Sequence, residues 1–161
     1  MKLLRVLAAV LAVFAAAGCA SGPSSSGSPT SEAVAAVPSS FGSGVLVGGA
    51  LVTVGVPVAF EPSVSAAGAE RGGRGVRVEV TAVNQGDAAL PARRVVVRAT
   101  AGGRQLDSVV DSAQGVEPPT VDVLPGGTLS WSEAWMAPDA PGEFQVQVAL
   151  EGMRGYWVGQ F

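Results

Sequence analysis

From Phe41 onward, hydrophobic residues recur at every second position. The clearest run is 75–84 (GVRVEVTAVN), which sets Val76, Val78 and Val80 on one side of an extended chain and Arg77, Glu79 and Thr81 on the other. The stretches 50–60, 94–101, 105–110, 128–136, 143–150 and 156–161 have the same character. Turn-forming clusters separate them: Asn84-Gln85-Gly86-Asp87, Gly102-Gly103, Pro125-Gly126-Gly127, the PDAPG of 138–142, and 152–155. No window beyond residue 41 sustains a period of 3.6 with helix caps. The pattern predicts an all-β domain, an antiparallel sandwich of about seven or eight short strands with Greek-key connections.

The N-terminus follows a different plan. Residues 1–19 read MKLLRVLAAVLAVFAAAGC: a basic start at Lys2 and Arg5, an apolar run over 6–17, and small residues before Cys19. Charge, short apolar core and small-residue site are the parts of a secretory signal. The run falls short of the roughly 20 residues a membrane-spanning helix needs. Cys19 is the sole cysteine, and the stretch Ala16-Ala17-Gly18-Cys19 resembles a bacterial lipobox, with Ala16 where Leu is usual. A lipobox implies a diacylglyceryl group on the Cys19 sulfur and cleavage just before it. Two or three acyl chains then hold the protein at a membrane, each buried methylene contributing about 0.8 kcal/mol. Residues 20–31 (ASGPSSSGSPTS) are too polar and small to order themselves, and a linker of ~21 such residues spans on the order of 25 Å. The expected organisation is a signal over 1–18, a tether over 19–40 and a folded domain over 41–161, exported and anchored to the outer face of the cell membrane.

Composition narrows the chemistry. The 161 residues include no His, and the one Lys is Lys2. That leaves no Ser-His or Cys-His dyad, no imidazole metal ligand, and no Ser-Lys nucleophile or Schiff base in the domain. Carboxylates remain, chiefly Asp107, Asp111, Asp122 and Glu133, but they form no recognisable acid/base pair. No zinc cluster, EF-hand loop, Walker loop or dinucleotide fingerprint occurs. The expectation is a protein without catalytic residues, metal or cofactor. An acidic exported domain with no reader motif is also not a nucleic-acid binder.

Charge is segregated along the chain. Residues 70–104 hold seven arginines against three carboxylates, whereas 105–161 hold eight carboxylates against Arg154 alone. Arg77, Arg94 and Arg98 form a basic stripe if their strands are neighbours, suited to the phosphate or carboxylate of an anionic cell-wall polymer. The plainer alternative is cross-strand pairing with the acidic half. The run 129–135 puts Leu129, Trp131, Glu133 and Trp135 on one side. Two tryptophans there fit core packing, yet a buried carboxylate between them is costly. Either an Arg pairs with Glu133, or the face is open and forms a platform for a sugar or peptide. The alternative to a binding domain is an accessory component of an envelope complex or transporter, with an envelope protein as partner. Tyr156, Trp157 and Phe161 fit a final strand docked in a sheet, or an exposed edge that recruits a partner strand.

Several short blocks occur together in order: Phe41-Gly42; Val52-Thr53-Val54 with Pro57; Phe60-Glu61-Pro62-Ser63 with Ala66-Ala67-Gly68; Val80 to Asn84; Val110-Asp111-Ser112; Leu124-Pro125-Gly126; and Gly159-Gln160-Phe161. This arrangement resembles actinobacterial lipoproteins that carry an immunoglobulin-like domain of unknown function, a group similar in fold to the mycobacterial immunoprotective extracellular antigen. The likeness implies an immunoglobulin-like antiparallel β-sandwich exported to the envelope and brings no catalytic residues. Trp131 and Trp135 stand where the pattern more often has smaller aromatics. Local chemistry accounts for several of the blocks. Asn84 can bond the backbone of the turn that follows it, Asp111 can cap a loop, and Pro125-Gly126 suits the centre of a type II turn.

Overall fold

The computed structural model of the chain describes residues 37–69 and 73–161, so the signal, Cys19 and most of the tether lie outside the described residues. Among the described residues thirteen strands form: β1 (Ser39–Ser40), β2 (Gly44–Val47), β3 (Ala50–Val54), β4 (Val58–Ala59), β5 (Arg74–Asn84), β6 (Leu90–Pro91), β7 (Val96–Ala101), β8 (Arg104–Gln105), β9 (Ser108–Val109), β10 (Asp122–Val123), β11 (Thr128–Ala137), β12 (Glu143–Leu150) and β13 (Met153–Gln160). Seven of them have four residues or more and correspond to the expected number; the other six are two-residue pairings. One sheet has the order β1-β13-β12-β7-β8, the second β2-β3-β5-β11-β9 with β4 beside β5, and β6 pairs with β10. The protein is an all-β sandwich. Its ladders are antiparallel except for β1, which lies parallel to β13 through Ser39–Trp157 and Ser40–Val158.

Local chemistry explains where the strands depart from the sequence pattern. The run 50–60 breaks at Pro57, which has no N–H to give a ladder, so β3 stops at Val54 and β4 is a two-residue remnant. The run 105–110 also divides. Leu106 N–H bonds Ala99 O in the first sheet, whereas Asp107 O accepts from Met136 N–H in the second. The chain therefore crosses between sheets at one peptide. β2 and β1 are absent from the sequence pattern, and β1 lies at the end of the segment read as tether.

Three hairpins share one turn geometry. Gly48-Gly49, Gly102-Gly103 and Glu151-Gly152 each place two consecutive residues at positive φ between directly paired strand ends. These are type I′ loops, whose twist matches that of the strands they join. Turn 124–127 closes through Gly127 N–H to Leu124 O at 2.8 Å, with Gly126 at φ 74°, which is the expected type II form.

Alternation delivers the core. Val52 and Val54 of β3, Val76, Val78 and Val80 of β5, Phe144, Val146 and Val148 of β12, and Trp157 of β13 point between the sheets and are buried. Each such aliphatic side chain contributes about 1.5–3 kcal/mol by leaving water. A smaller cluster of Phe60, Val109, Val116 and Ala134 covers part of the outer side of the β5–β11 sheet. At one end of the core, Phe144 meets Phe41 and Phe161 with centroids 6.0 Å away in each case, and the Arg74 guanidinium lies 4.0 Å from the centre of the Phe161 ring. Trp157 donates its indole N–H to Ser43 O at 2.8 Å. The last strand is docked, and its large aromatics are not an exposed recruiting edge.

Glu151 is the one non-glycine residue at positive φ among the described residues, at 49°. A left-handed conformation costs an ordinary L-residue about 1–2 kcal/mol, which Asn largely avoids. Glu151→Asn is therefore expected to raise unfolding stability by about 1 kcal/mol, read as a higher denaturant midpoint with an unchanged slope.

Candidate functional site

The register of β11 against β5 runs without interruption from Thr128–Val83 to Ala137–Arg74. It directs Trp131, Glu133 and Trp135 inward. Trp131 is 8% exposed and Trp135 1%, and the Trp135 ring stands edge-on to Phe144. There is no open tryptophan platform: both rings are core, because the sheet of β7, β12 and β13 covers them. Glu133 takes neither expected course. No Arg pairs with it among the described residues; instead its carboxylate accepts the Trp131 indole N–H at 2.9 Å. Burial pushes the Glu133 carboxyl above the ordinary range, and the indole hydrogen bond only partly opposes this.

The basic stripe also dissolves. Arg77 lies on β5 and Arg98 on β7, and these strands belong to different sheets. Arg77 has its guanidinium 5.8 Å from the Phe60 ring centre. Arg94 falls in a 3-10 turn, Ala92–Arg94, ahead of β7, so it shares no strand face with Arg98. Sequence reasoning grouped the three because strand adjacency is a long-range property. The alternative, wholesale pairing with the acidic half, is not realised either. Arg93 and Asp122, both exposed, approach to 3.8 Å.

Two buried polar residues instead tie the fold. Asp111 is 1% exposed. Its carboxylate accepts Ser63 N–H at 2.7 Å, Ser63 Oγ–H at 2.8 Å and Gln114 Nε2–H at 3.2 Å. Gln114 also donates to Glu61 O at 2.6 Å. The Ser63 N–H is the main reason that the Asp111 carboxyl lies below its ordinary range, with burial opposing and the two side-chain donors assisting. Asn84 donates to Ala88 O and Val123 O, both at 2.8 Å, and accepts Gly86 N–H at 3.0 Å. Its backbone exchanges hydrogen bonds with Gly126 and Gly127. Asn84 holds the turn that follows it, as its sequence context suggested, through Gly86. Asp111 is tied chiefly to the distant Ser63 and makes no side-chain cap to the 3-10 turn that follows it.

A surface that the sequence did not single out is the outer side of the β7–β12–β13 sheet. Outward positions there are Val96, Arg98 and Thr100 on β7, Glu143 to Ala149 at alternate residues on β12, and Arg154 to Gln160 at alternate residues on β13; none is buried. Register aligns Arg98, Gln147 and Tyr156 in one row, Thr100, Gln145 and Val158 in the next, and Val96, Ala149 and Arg154 on the other flank. Gln145 and Gln147 could have been assigned outward from the alternation in EFQVQVAL. The meeting of Gln147 with Arg98, and of Gln145 with Thr100, could not, because β7 and β12 are distant in sequence.

No family model matches the chain, and no curated protein does. Solved structures do. A candidate lipoprotein, ycdA of Bacillus subtilis, superposes with a TM-score of 0.61 at 10% identity, over 73% of this chain and 38% of that one. This chain thus spans well under half of the ycdA structure. The yjhA protein of Bacillus subtilis gives 0.52 at 11% identity, covering 68% of this chain and 80% of that one. An uncharacterized β-sandwich protein of Clostridium difficile gives 0.51 at 10% identity, covering 76% and 95%. These likenesses show the β-sandwich fold. Among the described residues no helix is long and apolar enough to cross a membrane.

The two shifted carboxyls predict opposite pH signatures. Asp111 has a depressed value, so its stabilisation is present above the ordinary aspartate range and is lost as pH falls through the lower, folded-state value. Asp111→Asn should lower the melting temperature by several degrees at pH 7, and the deficit should shrink in strong acid. Glu133 has a raised value, so its contribution is full below the ordinary glutamate range and is lost as pH rises through the folded-state value. Glu133→Gln keeps an acceptor for Trp131 and should stabilise the protein at pH 7 but not at pH 3. Thermal melts of both variants across pH check the two signs.

Proposed function

We propose that this protein is exported and held by lipid on Cys19 at the outer face of the cell membrane, where a tether presents the β-sandwich as a binding domain. The observation that carries the reading is the position of the chain's sole cysteine. It follows a basic start and a short apolar run and precedes a Ser/Gly/Pro-rich stretch. The structural likeness to a candidate lipoprotein points the same way. So does the resemblance to the envelope lipoproteins with immunoglobulin-like domains, whose separate sequence blocks meet in space here: Ser63 with Asp111, and Asn84 with Pro125-Gly126.

Binding, rather than catalysis, suits the groups available. Asp111 is occupied by Ser63 and Gln114, Glu133 faces the core beside Trp131, and Asp122 lies against Arg93 on the surface.

In cells fed an alkyne fatty acid, the wild-type protein is expected to take up label and sediment with membranes. Cys19→Ser is expected to lose the label and move to the soluble extracytoplasmic fraction. A mutant that stays membrane-bound, or a wild type without label, would overturn the anchor.

A further inference from the structure

We infer that the outer side of the β7–β12–β13 sheet binds an anionic polysaccharide, with Arg98 and Arg154 meeting its charges and Gln145, Gln147 and Tyr156 meeting its hydroxyls and rings. The inference deepens the proposed envelope role and takes its biological setting from it.

The first argument is hydrogen-bonding capacity. Among the described residues, Arg98, Arg154, Gln145, Gln147 and Tyr156 make no side-chain hydrogen bond or ion pair with the protein. Their donors and acceptors are turned to solvent from a backbone that the ladders already hold. Little backbone entropy is then lost on binding.

The second argument is charge. The chain is acidic, with a formal net charge of −3. Yet the outward positions of these three strands carry two arginines and a single carboxylate, Glu143, which sits at one end opposite Gln160. Gln147 is at the centre, with Arg98 and Tyr156 directly across on either side. Strands about 4.8 Å apart and alternate residues about 6.8 Å apart put Arg98 and Arg154 roughly 12 Å from each other across the face.

The third argument is shape. An open sheet face with an amide grid fits an extended chain of repeating polar units better than a small molecule, which favours a concave site. Glutamine offers both donor and acceptor to a hydroxyl, the Tyr156 ring offers an apolar surface to sugar C–H groups, and arginine forks onto carboxylate or phosphate. The face has Tyr156 as its one aromatic and no cluster of apolar anchors like that at the centre of a protein interface. It equally lacks residues that would insert among lipid tails, since Val96, Ala149 and Val158 are its apolar members.

The test uses the purified full chain in nonionic detergent, electrophoresed through native gels containing polygalacturonate or neutral dextran. Polygalacturonate is expected to retard the protein, less so at high salt, and dextran is not. Arg98→Ala with Arg154→Ala should weaken the retardation at least tenfold, and Gln147→Ala severalfold with both arginines intact. Arg77→Ala removes one charge from the other sheet and should leave it unchanged. Three results would overturn the inference: no retardation by polygalacturonate, equal weakening by Arg77→Ala, or tighter binding to vesicles of anionic phospholipid than to the polymer. Fatty-acid labelling is scored separately, so loss of the anchor and failure of the surface are distinguishable.

Discussion

The ten-residue ladder between β5 and β11 is the constraint on which the rest of the sandwich depends. Side chains alternate along a strand, so a slip of one residue would turn Trp131, Glu133 and Trp135 outward and bring Ser130, Ser132 and Ala134 into the core. Both ends of the ladder are pinned. At one end Asn84 grips the turn that leads into β11 through its backbone and through Val123. At the other, Gly75 lies so close to Phe60 O that a side chain there could not be accommodated, and Phe60 N–H bonds Gly75 O at 2.9 Å. With register held, β3 packs on one side of β5, β9 on one end of β11, and the second sheet closes over two indoles and a column of valines.

Much of this was legible because alternation is a local property. The long strands β5, β7, β11 and β12, the Gly102-Gly103 hairpin and the type II turn at Pro125-Gly126 all follow from residues near one another in sequence. What was not legible depends on partners. β1 consists of two serines with no pattern of their own, and it becomes a strand only because β13 offers it an edge. The placement of Glu133 could be posed as a dilemma from sequence, but its resolution needed the Trp131 indole N–H. The supposed stripe of Arg77, Arg94 and Arg98 failed for the same reason: shared polarity along the chain says nothing about which sheet a strand joins.

The short blocks that suggested a family are explained by the same long-range contacts. Each is one half of a tertiary junction. Phe41 packs over Gly159, where an added Cβ would come within 2.9 Å of the Phe41 ring. Ser63 meets Asp111 across 48 positions, and Asn84 meets Val123 across 39. Such residues serve the fold through contacts within the chain. Their buried polar atoms would be left unsatisfied by substitution, which costs more than a typical hydrogen bond contributes. The motifs therefore belong to the scaffold.

Edges and faces differ in what they can offer a partner. The terminal strands of the two sheets are β1, β8 and β9, with two residues each, and β2 with four. Short edge strands are a common defence against strand addition, because they present few unpaired backbone groups in line. The outer side of the β5–β11 sheet is partly taken up by the Phe60–Val109–Val116–Ala134 cluster. The outer side of the β7–β12–β13 sheet is a regular array of exposed side chains whose polar groups are not used internally. Its chemistry is consistent across three strands, and the ladders hold its spacing without a contribution from the side chains themselves. A recognition surface built this way keeps its geometry when its residues change. On the proposed reading, changes at Arg98, Gln147 or Tyr156 alter what the face recognises while the indole-centred core and the Asn84 and Asp111 ties remain untouched.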